Sequence, residues 1–192
     1  NPKYRLEDWV FRKPKLIQLI DNPTEEVQLA AVKENGSSIK YIQNPSEEVQ
    51  LAAVGREGSY IQYIVIKGII PSEEVQLAAV NKYGYAIEYI QNPSEEVQLA
   101  AVKQNGHAIR HIQDPSEQVQ LAAVKEDGYA IKYIQNPSEK VQLAAVKKYG
   151  SAIYYIKNPS EEVQLAAVNK NPYVIYDIEY PTERVKNLAR AK

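Results

Sequence analysis

Apolar positions along this chain fall into one recurring phrase, Val-Gln-Leu-Ala-Ala-Val. It begins at Val27, Val49, Val75, Val97, Val119, Val141 and Val163. Copies are 22 residues apart, except for the 26 between the second and the third. A fixed period of this size marks an array in which each unit packs on its neighbours. After every phrase come a polar stretch, then a Gly, then a second apolar set such as Ala130, Ile131 and Ile134.

The phrase predicts a helix. Asn44, Asn92, Asp114, Asn136 and Asn158 suit its N-cap, because a side-chain oxygen there can accept from a free backbone N–H. Pro45 and its counterparts then fall at the first helical position. Glu47, three beyond that cap, is placed for a capping box. Lys33, Arg56, Lys82, Lys103, Lys125, Lys147 and Lys170 gather at the far end, where the helix dipole favours cations. Gly36, Gly58, Gly84, Gly106, Gly128 and Gly150 follow as stops in a left-handed conformation. Val, Leu and Ala point nearly all round, which suits a helix sandwiched between neighbouring repeats.

The second half predicts a shorter helix, such as Tyr129–Ile134. Ile131 and Ile134 share its buried face with Ala130, and Tyr129, Lys132 and Tyr133 occupy the other. The next Asn-Pro ends it. Two antiparallel helices per repeat give an all-α protein, an α-solenoid of HEAT-like repeats with degenerate capping repeats at both ends. Seven repeats cover residues 22–179, with an insertion near 65–70. Residues 1–21 form an N-terminal cap carrying the single Trp9 and the single Phe11, and residues 180–192 a polar capping helix. The competing reading, a leucine-rich repeat, fits worse, because Gln, Ala, Glu and Lys favour helix.

The stretch from Pro93 to Ile112, PSEEVQLAAVKQNGHAIRHI, resembles a family of short tandem α-helical repeats of unknown function in bacterial, phage and large-virus proteins. It also looks like a shortened HEAT repeat, in which a similar Asp-Pro-x-x-x-Val-Arg-x-Ala-Ala stretch opens a helix. Here Gln stands for that Arg. The resemblance implies a binding scaffold with no catalytic residues to carry over.

Composition narrows the function. Lys plus Arg number 23 against 24 Asp plus Glu, so bulk attraction to nucleic acid or an anionic membrane is disfavoured. No Cys is present, which excludes disulfides and thiolate metal sites. No apolar run spans a membrane and no signal pattern appears, so the expected location is cytoplasmic. The chain starts at Asn1 and holds no Met, as a piece of a longer protein would. No phosphate loop or nucleophile–base pair stands out, and the acidic pairs recur with the period, as helix starts do. A non-enzymatic protein with no cofactor is expected.

Three rows on the second helices are the candidate binding face. The first reads Ser37, Ser59, Tyr85, His107, Tyr129, Ser151 and Tyr173. The second reads Lys40, Gln62, Glu88, Arg110, Lys132, Tyr154 and Tyr176. The third reads Tyr41, Tyr63, Tyr89, His111, Tyr133, Tyr155 and Asp177. These rows hold ten of the 15 tyrosines. Tyr is favoured in interfaces because it joins a rigid apolar ring to a polar tip. Tyr85, Tyr89, His107, Arg110, His111, Tyr129, Lys132, Tyr133, Tyr154 and Tyr155 are therefore the expected contacts for a protein or peptide. A nucleic acid is the alternative partner, because Tyr, His, Arg and Lys together can stack bases and meet phosphates. A third reading is a spacer or recognition module of a larger phage or bacterial protein.

Two further features are weighed. His107 and His111 have the spacing of two ligands on an α-helix, but Arg110 beside them disfavours a cation, so no metal site is expected. The invariant Gln28, Gln50, Gln76, Gln98, Gln120, Gln142 and Gln164 predict a hydrogen-bonded ladder between repeats. The insertion, Val65 to Ile70, predicts a local kink with repacked aliphatics rather than an exposed patch.

Overall fold

The computed structural model describes residues 6–191, and residues 1–5 and Lys192 of the two predicted caps lie outside it. The described residues contain helices and no strand. No described helix is long and apolar enough to cross a membrane. The chain divides into two compact units, residues 1–100 and 101–192.

Each first helix has ten residues and covers the predicted phrase. The series is α2 (Glu25–Glu34), α3 (Glu47–Arg56), α5 (Glu73–Lys82), α6 (Glu95–Gln104), α7 (Glu117–Glu126), α8 (Glu139–Lys148) and α9 (Glu161–Lys170). α1 (Leu6–Val10) precedes them and α10 (Glu183–Arg190) follows. In α7, Val119, Ala123 and Val124 are fully buried, whereas Leu121 and Ala122 are half-buried. One stripe of the phrase therefore forms the core, rather than the whole circumference.

The helix starts differ from expectation. The N-cap is the Ser after the Pro, not the Asn before it. Ser46, Ser72, Ser116, Ser138 and Ser160 each accept from the Val N–H three residues on, at 3.3–3.4 Å. Asn22, Asn92, Asp114, Asn136 and Asn158 instead sit at φ between 46° and 51°. Asn and Asp tolerate this left-handed geometry better than other side-chain-bearing residues, so they turn the chain into the Pro. Glu47 closes no capping box. It bonds the Ser72 hydroxyl of the next repeat. Glu25 likewise meets Ser46, Glu73 meets Ser94, Glu117 meets Ser138 at 2.6 Å, Glu139 meets Ser160, and Glu161 meets Thr182 at 2.6 Å. A ladder between repeats exists within each unit, built from carboxylates and hydroxyls.

The glutamines are not that ladder. Every Gln Nε2 donates to the Pro carbonyl five residues earlier in its own repeat, from Gln28 to Pro23 through Gln164 to Pro159, at 2.9–3.0 Å. A flexible amide can reach back over one turn, and that carbonyl is unsatisfied by the helix. Gln therefore pins the entry loop of each helix.

The second helices are 3-10 rather than α. They are η1 (Pro14–Leu19) in the N-terminal cap, η2 (Gly36–Tyr41), η4 (Gly84–Tyr89), η5 (Gly106–His111), η6 (Gly128–Tyr133), η7 (Gly150–Tyr155) and η8 (Pro172–Asp177). The 3-10 form rises about 2.0 Å per residue against 1.5 Å for α, so six residues reach further along the repeat. In η6, Ala130 and Ile131 are buried, and Ile134 follows at the C-cap.

The row of glycines is placed as predicted, for another reason. None of the six takes a positive φ, and Gly68 is the one Gly that does. A Cβ on Gly128 would lie 2.7 Å from the Ala145 carbonyl oxygen of the next repeat, and one on Gly58 would lie 2.1 Å from that of Ala79. Close backbone approach between repeats, not handedness, demands Gly at Gly58, Gly106, Gly128 and Gly150, whereas Gly36 faces the Tyr60 ring.

The insertion changes its repeat. η3 (Gly58–Tyr60) runs directly into α4 (Ile61–Val65). Ile61 and Ile64 are fully buried, but Ile66 is 82% exposed and Ile70 90% exposed. Ile61 and Ile64 are ordinary repeat positions; of the added aliphatics Val65 and Ile69 are half-buried and Ile66 and Ile70 exposed, so the expected repacking is not what the insertion does.

Candidate binding face

A 3-10 helix repeats every three residues, so its first and second rows line up and the third is rotated by about a third of a turn. Side chains accordingly differ in exposure. Tyr129 is half-buried, Lys132 exposed and Tyr133 half-buried. The same order holds for His107, Arg110 and His111, and for Tyr85, Glu88 and Tyr89.

In the C-terminal unit, first-row residues pack diagonally on the third row of the next repeat. The His107 ring meets Tyr133 edge-on with centroids 5.5 Å apart. Tyr129 meets Tyr155 in the same way at 6.2 Å, and Tyr154 meets Tyr155 at 5.2 Å. Edge-to-face pairs of this kind add to simple burial. The third row is therefore half structural, as its regularity implies. Tyr154 is 71% exposed.

Tyr129 also stacks on Tyr149 at 5.1 Å with an 18° tilt. Tyr149 belongs to a fourth row that sequence reasoning missed: Asn35, Glu57, Tyr83, Asn105, Asp127, Tyr149 and Asn171, each just before the second helix. Its signal was visible as a variable position beside an invariant one. Where the row holds Asn or Asp, the side chain caps the 3-10 helix, as when Asp127 Oδ1 accepts from Tyr129 N–H at 2.8 Å. Tyr149 makes no such cap and adds a ring to the face. In the N-terminal unit, Tyr83 does the same and meets Tyr85 edge-on at 5.7 Å.

The charged members tune the rings. Lys132 Nζ lies 4.8 Å from the Tyr133 centroid. The Lys132 ammonium, with Arg110, holds the Tyr133 hydroxyl below its ordinary pKa, against the opposing effect of burial. In the N-terminal unit, hydrogen bonding to Glu88 pushes Tyr89 up to about 12, and burial adds to this.

The two histidines do not converge. Four residues along a 3-10 helix put them on different faces. His107 Nε2 lies 3.2 Å from Asp127 Oδ2, an ion-pair distance without hydrogen-bond geometry. His111 Nε2 accepts from Arg110 Nε at 2.8 Å. Among the described residues, no group of three or more His, Cys, Asp and Glu is placed to hold a metal ion.

Fold and face together define an all-α tandem-repeat solenoid with aromatic and charged side chains along its second helices. No family model matches the chain, and neither a curated protein nor a solved structure is significantly similar to it.

Proposed function

We propose that this protein is a non-enzymatic scaffold that binds a protein or peptide through the aromatic face of its second helices. The observation that carries this reading is the mixed exposure in the C-terminal unit. Tyr129 and Tyr133 are braced by neighbouring rings, while Tyr154, Lys132 and Arg110 beside them face solvent. Rigid, half-buried aromatics bind at low entropic cost and are common energetic anchors of interfaces. The repeat family that the sequence resembles supports the same reading.

The test is capture from lysate, quantified by mass spectrometry. Tyr129→Ala with Tyr133→Ala should weaken capture of the specific partner by about tenfold or more, as loss of a hot spot does. Replacing Glu25 and Glu26 by Gln should change it little. Helicity measured by circular dichroism should stay the same in both variants. A steep loss of binding as salt rises would instead point to a nucleic acid held by Arg110, Lys132 and Lys40. Capture unaffected by the tyrosine pair would leave these rings a packing role alone.

A further inference from the structure

One groove in the molecule already holds a lysine. Between the first and second repeats, Lys67 Nζ donates to the backbone carbonyl oxygen of Ile39 at 2.7 Å and to that of Ile42. These carbonyls close the C-terminal end of η2, where the helix dipole favours a cation, and the Ile39 oxygen takes Lys67 besides the Ile42 N–H at 3.1 Å. Desolvation lowers the Lys67 pKa, as expected for an ammonium withdrawn from bulk water.

The same positions recur between the sixth and seventh repeats. Ile153 and Ile156 correspond to Ile39 and Ile42, and Pro159 and Gln164 correspond to Pro45 and Gln50. Here they line an open cavity of about 570 Å³. Gln164 is only 7% exposed, and its Oε1 is buried without a hydrogen-bond partner, as are those of Gln28 and Gln50. One Nε2 proton is committed to Pro159, and Oε1 remains an open acceptor. A buried acceptor left unpaired is costly, which favours a ligand that donates.

Asp177 and Glu179 also line the cavity, at positions filled by Tyr155 and Lys157 one repeat earlier. Tyr154, Tyr180 and Lys157 line it as well, and Tyr180 is 77% exposed. Acceptors, carboxylates and rings in one cavity match a long apolar stem with a cationic tip.

We propose that this groove binds the side chain of a lysine from a partner polypeptide. The ammonium lies against the Ile153 and Ile156 carbonyls, as that of Lys67 lies against those of Ile39 and Ile42, with Asp177 and Glu179 supplying the countercharge. The site shares Tyr154 with the aromatic face, but its carbonyls and carboxylates are separate from Tyr129 and Tyr133, so either assignment can fail alone.

The experiment is a titration of the isotope-labelled chain, followed by amide NMR, with the peptide acetyl-Ile-Lys-Gly-Ile-amide, the sequence of residues 66–69. Saturable shifts should appear at the Gln164 side-chain amide and around Ile153 and Ile156. The norleucine analogue, which lacks the ammonium, should bind about tenfold more weakly or worse, the size of one charge-assisted hydrogen bond. Asp177→Asn with Glu179→Gln should weaken the lysine peptide by about fivefold or more, with the remaining spectrum unchanged. Lys67→Ala should add a second set of shifts near Gln50, because it opens the equivalent groove. Equal binding of the norleucine peptide overturns the proposal. So do shifts confined to Tyr129 and Tyr133, or the absence of saturation.

Discussion

The second and sixth repeats start from the same first helix and end differently. In the sixth, η7 is a plain 3-10 helix whose end opens on a cavity. In the second, four extra residues turn the 3-10 segment into α4 and send Lys67 back onto its neighbour. The first helix is tied at its N-terminal end, by the Ser cap, by the Gln to Pro bond and by the carboxylate ladder. The second helix is held mainly by apolar burial and a Gly contact. Length and chemistry can therefore vary in the second half of a repeat while the first half stays fixed.

The glycines offer the largest expected effect on this comparison. A Cβ at Gly58 would come within 2.1 Å of the Ala79 carbonyl, against 2.7 Å at Gly150 from that of Ala167. Overpacking costs about 1–3 kcal/mol, so Gly58→Ala should lose about 3 kcal/mol and Gly150→Ala nearer 1 kcal/mol in denaturant unfolding. Gly55→Ala, with nothing within 4 Å of its Cβ, should gain up to about 0.5 kcal/mol from helix propensity. Equal losses at Gly58 and Gly150 would erase the difference between the two joints.

Lys67 comes next. Lys67→Met should destabilise by about 1–2 kcal/mol at neutral pH, because two carbonyls lose a charged donor. Lys157→Met should stay within about 0.5 kcal/mol, as an exposed substitution does. The pH dependence has a definite sign. The folded pKa of Lys67 lies below the ordinary 10.5, so the unfolded chain holds more protons in that interval. Stability contributed at Lys67 therefore rises with pH up to 10.5, and Lys67→Met removes that slope.

The smallest effect separates two tyrosines of one row. Tyr89 titrates near 12 beside Glu88, while Lys132 and Arg110 hold Tyr133 below the ordinary value. In ultraviolet titration, Glu88→Gln should bring Tyr89 down toward 10.0, and Lys132→Gln should raise Tyr133. Below pH 10.0 the Tyr89 contribution to stability is complete, and it fades as pH climbs to about 12. Identical titration of both rings would show that their charged neighbours do not reach them.

The sequence made period, helical class and the three rows legible, because burial repeats with the period. Roles were harder to read. Asn and Ser both cap helices, and only the backbone angle at Asn92 or Asn136 shows that Asn makes the turn and Ser the cap. Gln98 carried no hint that its partner is Pro93 in its own repeat, since a repeat-wide invariance fits either direction. Gly marks both left-handed stops and close contacts, and the Ala145 oxygen beside Gly128 decides between them. Six residues are too few for periodicity to tell 3-10 from α. The fourth row escaped notice because its Asn, Asp and Tyr residues do two different jobs.

The joints have a genetic consequence. Glu117 offers Ser138 what Glu139 offers Ser160, and Gly128 faces Ala145 as Gly150 faces Ala167. A deletion of residues 136–157 would therefore rejoin Glu117 to Ser160 and Gly128 to the Ala167 carbonyl with no seam. Unequal exchange between copies can then shorten or lengthen this stretch in whole repeats, each product folding by the same rules. Exchange that cuts through residues 65–70 has no such freedom, because Lys67 fits one neighbour in one register.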